Sequence, residues 1–142
     1  GFKIDLIIAE NMPYEEIRHH MKNCDILAAQ FLYGYALAEI EGMSCEKPVI
    51  SNLENKNYYE AAKNFTYFAE CPIVSSNPKN LKNQLKLLIE SPELREKIGK
   101  KGRSYVKRYH SSEGQGLLWT KIFNFINGDI KEGLDDWWKE RA

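Results

Sequence analysis

One helix and the loop before it carry the residues of this chain that are best placed for chemistry. An apolar segment, residues 25–31, runs into a turn at Gly34, and a helix then carries Leu37 and Glu41. Pro48 opens the next apolar segment, so the order is strand, helix, strand. The first turn of such a helix offers unpaired N–H groups to an anion, and Glu41 lies about two turns into it. The unit therefore predicts a ligand crevice beyond the carboxyl ends of parallel strands.

The other reactive side chains do not form a catalytic or metal-binding pattern. His19 and His20 are neighbours in a predicted helix and point about 100 degrees apart, which is poor for chelating one metal. We interpret His110 as a cap or surface residue, and Glu39 as a surface residue of the helix. No Ser-His-Asp order, Cys-His pair or P-loop can be assembled. We predict no metal site and no cofactor.

The number and spacing of the cysteines indicate the cellular compartment of the protein. Cys24, Cys45 and Cys71 are odd in number, widely spaced and without a Cys-x-x-Cys pair. Neither a disulfide framework nor a zinc site is indicated. Reduced thiols and the expectation that no signal peptide opens the chain predict a cytoplasmic protein.

Residues 33–50 carry a motif of mixed glycine, apolar and acidic positions. Its matching positions are Gly34, the aromatic Tyr35, Leu37, Glu41, Met43, Cys45, Lys47, Pro48, Val49 and Ile50. The motif resembles the donor-sugar motif of retaining, nucleotide-sugar-dependent glycosyltransferases of group 1, which have two Rossmann-like domains in the GT-B architecture. The family has two Glu residues separated by seven residues. The resemblance continues in residues 91–99, 102–103 and 109–113, so it covers most of the chain.

The resemblance implies a fold and a reaction. The chain would be a partial C-terminal, donor-nucleotide half of a GT-B enzyme, with residues 1–128 as a Rossmann-like domain and residues 129–142 as a helical tail. It would help to transfer a sugar from a nucleoside diphosphate sugar to an acceptor in glycan or polysaccharide biosynthesis. An N-terminal acceptor domain and the first βα units of the donor domain would be missing from these 142 residues, so we expect the chain alone to be inactive.

The resemblance also implies roles for single residues. The expected donor-binding residues are Glu41, Gly34, Tyr35, Ala36, Leu37 and Tyr33. Glu41 would accept hydrogen bonds from the two ribose hydroxyls, since two carboxylate oxygens suit a vicinal diol. The N–H groups of residues 34–37 would hold the diphosphate and the sugar. Tyr33 would lie beside the donor sugar.

Three departures from the family pattern favour an alternative function. Tyr33 stands where the first Glu belongs, Ala36 replaces the second Gly, and Glu46 replaces the Gly before Lys47. The loop of residues 53–57 also lacks the glycine pair that the family has there. Only Glu60 would correspond to the glutamate that the family places near the nucleotide. A non-catalytic binding or interaction module that retains the fold therefore stays open.

Composition and charge limit the partners. Hydrophobic content is 43% and charged content 28%, as in soluble globular proteins. The net charge is zero, but residues 78–110 hold 10 Lys/Arg against 3 Asp/Glu. We interpret this basic region as the solvated side of amphipathic helices and predict no nucleic-acid partner, because no aromatic residues interleave the lysines. Peripheral contact with a membrane stays as an alternative.

Alternating signals predict an α/β fold, a doubly wound parallel sheet with a helical C-terminal third. Strands are predicted at residues 2–9, 25–31, 48–52, 65–68 and 73–74, and helices at residues 13–23 and 58–64 and after the caps Asn77, Ser91 and Ser111. Asn127 and Gly128 should end the last of these helices. Trp119 and, in the tail, Trp137 and Trp138 should pack on the sheet or on a second copy of the chain, the latter forming a homodimer.

Overall fold

The computed structural model describes residues 2–32, 34–57 and 68–130. Its centre is an open sheet of three parallel strands: β1 (Leu27–Ala28), β2 (Val49–Ser51) and β3 (Val74–Ser75), in the order β1-β2-β3. All three residues of the central strand are buried. The predicted α/β class with a parallel sheet is confirmed.

Five helices surround this sheet in the described part of the chain: α1 (Tyr14–Asn23), α2 (Leu37–Ser44), α3 (Leu81–Glu90), α4 (Pro92–Tyr109) and α5 (Ser112–Ile126). Local sequence explains their ends. The Ser91 hydroxyl accepts a hydrogen bond from the Leu94 N–H, with Pro92 in the first turn of α4. The Ser111 hydroxyl accepts one from the Gly114 N–H.

The end of α5 follows the expected pattern. Gly128 has a φ of 78° and its N–H donates to the Phe125 carbonyl, while the Asp129 N–H donates to the Asn124 carbonyl. This is a Schellman arrangement, in which a glycine after the helix adopts the left-handed conformation. The prediction that Asn127 and Gly128 end the helix is confirmed.

The predicted first strand is wrong. Residues 2–9 form no strand, and all of them are exposed, among them Leu6 at 78% and Ile8 at 69%. Their β-branched, apolar composition matched a buried strand, but a strand also needs a neighbour for its hydrogen bonds. No described strand pairs with residues 2–9, since β1 pairs only with β2.

Smaller differences concern element boundaries. The helix predicted after Asn77 begins at Leu81, because Asn80 Oδ1 accepts a hydrogen bond from the Asn77 N–H and holds a turn there. Phe68 belongs to a 3-10 turn, Phe68–Glu70, rather than to a strand. Trp119, which was also predicted to be packed, lies on α5 and is 55% exposed in the single chain, so it is not buried against the sheet. The predicted helix at residues 58–64, Tyr33 and the tail with Trp137 and Trp138 lie outside the described residues.

The core joins α2 and α4 to the sheet. Two glycines of α4 permit this close approach: a Cβ on Gly99 would lie 1.9 Å from the Glu46 carbonyl oxygen, and one on Gly102 would lie 3.0 Å from the Met43 side chain. Met43 is buried beside Val49 of the central strand. This packing fixes α2 against the sheet and so sets the direction of its first turn.

Candidate functional site

The loop before α2 starts where β1 ends, at the carboxyl edge of the sheet. Gly34 is buried and has a φ of 81°, which explains why the turn needs glycine. Ala36 is the N-cap residue of α2, and Leu37 is 74% exposed in its first turn. The main chain of this loop is therefore located where parallel sheets bind their ligands.

The side chain of Tyr35 belongs to the core rather than to an open crevice. It is 6% exposed, and its hydroxyl lies 2.7 Å from His110 Nε2 and 3.3 Å from the Tyr105 hydroxyl. His110 is the C-cap residue of α4, and burial lowers its pKa. Tyr35 thus ties the loop to the end of α4, and only its main chain can meet a ligand.

Glu41 is half-buried on α2, one turn after Leu37. Its Oε1 accepts a hydrogen bond of 3.0 Å from the hydroxyl of Tyr14, the first residue of α1. No cationic group in the described part of the chain lies within ion-pair distance of it. The carboxylate therefore keeps Oε2 and a second lone pair of Oε1 for other donors.

Tyr14 is a site residue that sequence reasoning missed. It is 57% exposed, and its hydrogen bond to Glu41 and the charge of that carboxylate raise its pKa. The two residues are 27 positions apart. No periodicity or motif links them, so this contact is visible only in the folded chain.

Glu39 was predicted to be a surface residue, and this is wrong: its exposed fraction is 0%. Its Oε2 accepts a hydrogen bond of 3.0 Å from the Ala36 N–H, and its Oε1 lies 2.9 Å from the Ser51 hydroxyl. Alanine has no side-chain acceptor to cap α2, so the Glu39 carboxyl group folds back onto the first turn. This contact explains why an acidic residue is buried here.

The Ser51 side chain links the segments that meet at the carboxyl edge of the sheet. Its hydroxyl lies 2.6 Å from the Gln30 carbonyl oxygen and 2.8 Å from the Gly34 carbonyl oxygen, in addition to Glu39. A hydroxyl has one hydrogen, so it donates to one of these oxygens at a time. We call Glu39, Ser51 and the Ala36 N–H the Glu39–Ser51 cluster; it holds the ends of β1 and β2 and the loop together.

Other chemistries find no support in the described residues. No group of three His, Cys, Asp or Glu side chains there is arranged to hold a metal ion. Burial raises the pKa of the Cys71 thiol to about 11, so it is not an activated nucleophile. No described helix is long and apolar enough to cross a membrane.

Comparison with known proteins shows the family of this chain. The family of glycosyl transferases group 1 matches residues 1–105. An uncharacterized glycosyltransferase of Methanocaldococcus jannaschii, MJ1178, is 27% identical over 106 residues, which cover 68% of this chain and 27% of that protein. No solved structure matches significantly. The parallel sheet with flanking helices is consistent with a Rossmann-like fragment of the GT-B fold, and the chain belongs to the group 1 glycosyltransferase family.

Proposed function

We propose that this chain is the donor-nucleotide part of a two-domain glycosyltransferase and binds a nucleoside diphosphate sugar at the carboxyl edge of its sheet. The observation that carries the proposal is the position of one helix. The first turn of α2 begins at that edge, and Glu41 on the same helix has a half-buried carboxylate with no cationic partner among the described residues. The reaction class follows from the family.

The proposed roles follow from what each group has available. Glu41 accepts hydrogen bonds from the two ribose hydroxyls, through Oε2 and the remaining lone pair of Oε1. The Ala36 N–H is already bound by Glu39. The diphosphate therefore meets the neighbouring N–H groups of Gly34 and Leu37 at the helix N-terminus.

The rest of the reaction needs groups from outside this chain. The match to the Methanocaldococcus jannaschii glycosyltransferase covers 27% of that protein's length. The remaining part of such a two-domain enzyme would supply the acceptor domain and the cationic groups that stabilise the leaving diphosphate. We place the reaction in the cytoplasm and in the synthesis of a glycan or polysaccharide.

Tyr33 favours a second candidate function, a binding module that retains the fold without catalysis. A phenol has a pKa of about 10, so at neutral pH it carries no charge to stabilise an oxocarbenium-like cation. Tyr33 still offers one hydrogen bond to a donor sugar. Nucleotide binding, which depends on Glu41 and on main-chain groups, should therefore survive better than sugar transfer.

Calorimetry against a panel of nucleotide sugars tests the proposal. Glu41→Ala should weaken binding by about 1.5–3 kcal/mol, because its hydrogen bonds are charge-assisted. Tyr33→Phe should change binding by no more than about 1 kcal/mol, the net worth of one neutral hydrogen bond. Glu16 is an exposed residue of α1. The variant Glu16→Gln is the control and should bind nucleotide sugars like the wild type. Unchanged affinity of Glu41→Ala for every nucleotide sugar would refute the site.

A further inference from the structure

The Tyr35 side chain connects the proposed donor loop to the end of α4. Gly34 and Leu37, whose N–H groups meet the diphosphate in the proposed function, precede and follow Tyr35 in the chain. The Tyr35 side chain is buried in the core, and its hydroxyl lies 2.7 Å from His110 Nε2. Since the two residues are 75 positions apart, this contact joins two separate parts of the fold.

His110 has a fixed position because two helix ends hold the main chain around it. Its N–H donates to a carbonyl oxygen in the last turn of α4 over 2.8 Å. On the other side, the Ser111 hydroxyl caps α5, and the Gln115 side chain donates to the Tyr109 carbonyl oxygen over 2.7 Å. The His110 ring also contacts the Tyr105 ring, with the ring centres 5.6 Å apart. His110 is therefore a rigid point from which a side chain of the loop can be held.

The loop is held by contacts of two kinds. The Glu39–Ser51 cluster binds main-chain groups of the residues on both sides of Tyr35. The contact with His110 instead holds the side chain of Tyr35 itself. Each peptide group is planar, so an N–H group can turn only when the φ and ψ angles of the residues beside it change. Anchoring Tyr35 therefore restricts the directions of the neighbouring N–H groups.

The hydrogen bonds of this anchor depend on the protonation of His110. Burial lowers the pKa of His110, so the ring is neutral at neutral pH, and burial raises the pKa of Tyr105. We assign the neutral ring its hydrogen on Nδ1, so that Nε2 accepts the hydrogen of the Tyr35 hydroxyl. A second proton turns Nε2 into a donor. The Tyr35 hydroxyl must then donate to the Tyr105 oxygen, which is 3.3 Å away and makes a longer, weaker bond.

Protonation also places a positive charge where the surroundings do not compensate it. The His110 ring is half-buried, and no carboxylate among the described residues lies within ion-pair distance of it. The charged form therefore loses hydration without gaining an opposite charge. The titratable and charged side chains on the elements around the ring are Tyr35 of the loop, Glu39 of α2, Tyr105, Lys107 and Arg108 of α4, and Glu113 of α5.

We propose that His110 is a positioning residue of the donor site: in its neutral form it anchors Tyr35 and so keeps the neighbouring N–H groups directed at the donor diphosphate. This inference rests on the proposed function and adds a pH dependence to it. Donor affinity should be constant above about pH 6.5 and should fall below that value, by up to about tenfold per pH unit, because one proton competes with the anchored state. The diphosphate of a nucleotide sugar is substituted at both ends and does not titrate in this range.

Calorimetry of the chain and its variants against UDP-, GDP-, ADP- and dTDP-sugars tests the anchor. His110→Leu removes the ring nitrogen and Tyr35→Phe removes the hydroxyl, so each should weaken donor binding about three- to tenfold, the worth of one neutral hydrogen bond. The double variant should lose no more than either single variant, because both changes remove the same contact. The amide of His110→Gln can still bind the Tyr35 hydroxyl, so this variant should retain most of the affinity and lose the pH dependence of the wild type.

Two controls separate positioning from stability and from the other histidines. Tyr109→Phe removes a hydroxyl beside His110 that binds Glu70 instead of the loop, so it should lower the unfolding midpoint and leave donor affinity unchanged. His19→Gln removes an exposed histidine of α1 and should keep the wild-type pH dependence. Equal affinity of the wild type and His110→Leu, or the same pH dependence in the wild type and His110→Gln, would overturn the proposal.

Amide NMR signals of the free chain separate this inference from the proposed function. The N–H signals of Gly34 and Leu37 should shift with the titration of the His110 ring in the wild type, and in Tyr35→Phe they should no longer follow it. If this shift is present but no nucleotide sugar binds at any pH, the proposed donor site is refuted while the anchor is supported. Signals that do not follow His110 in the wild type would overturn the anchor even where a donor binds.

Discussion

Removing the carboxyl group of Glu39 should cost more stability than removing any other acidic side chain of α2. Glu39→Ala leaves the Ala36 N–H and the Ser51 hydroxyl without this partner in a fully buried place. An unsatisfied buried group costs about 1–3 kcal/mol. The lost volume adds a cavity term. We therefore expect a loss of about 3–5 kcal/mol, a large share of the stability of a small domain.

Urea unfolding of three variants measures this effect. Glu39→Gln keeps the shape, because its amide oxygen can accept from Ala36 and its NH₂ can donate to Ser51, so it should cost no more than about 1 kcal/mol. Glu41→Ala is the matched control: the same substitution on the same helix, at a half-buried position with a single hydrogen bond. It should cost no more than about 1 kcal/mol. Equal midpoints for Glu39→Ala and Glu41→Ala, with unchanged slopes, would refute this account of the cluster.

Three further predictions concern other contacts. Tyr14→Phe should weaken nucleotide-sugar binding about three- to tenfold in calorimetry, by freeing the carboxylate that its hydroxyl orients, and should leave the thermal midpoint unchanged. Gly99→Ala should destabilise the fold by about 1–3 kcal/mol in the same urea assay, because the new Cβ would clash with the Glu46 carbonyl. Gly116→Ala is the control: a Cβ there has no atom within 4 Å, so the alanine should stabilise α5 by about 0.5–1 kcal/mol. Since burial lowers the pKa of His110, the unfolded chain binds this proton more readily, and stability should fall as the pH drops below about 6.5; His110→Gln should flatten this part of the stability curve against pH.

Features coded by neighbouring residues were predictable from the sequence. Ser91 with Pro92, Ser111, and Asn127 with Gly128 each set a helix end by contacts within a few residues, and the structure has all three. The loop, helix and strand around Pro48 were predictable for the same reason. Helix caps are local hydrogen bonds, so the sequence alone is sufficient to locate them.

Features that need a distant partner were not predictable. Residues 2–9 had the composition of a strand, but composition does not supply the neighbouring strand. Glu39 was assigned to the surface because its place one residue from the apolar seam of the helix is compatible with either solvent or the cleft; its burial depends on Ser51, 12 residues away on β2. The Tyr14 hydrogen bond to Glu41 likewise joins α1 to α2 across 27 residues.

The three departures from the family motif differ in their physical consequences. Glu46 has a φ of 59°, the left-handed region that glycine adopts most easily, so this substitution adds backbone strain but leaves the turn in place. Ala36 removes any side-chain acceptor at the start of α2, and Glu39 supplies the hydrogen bond from the inside of the same turn. Both departures are thus accommodated within the fold. Tyr33 remains as the departure that alters charge beside the proposed donor sugar, and so transfer activity rather than folding is where its effect should be measured.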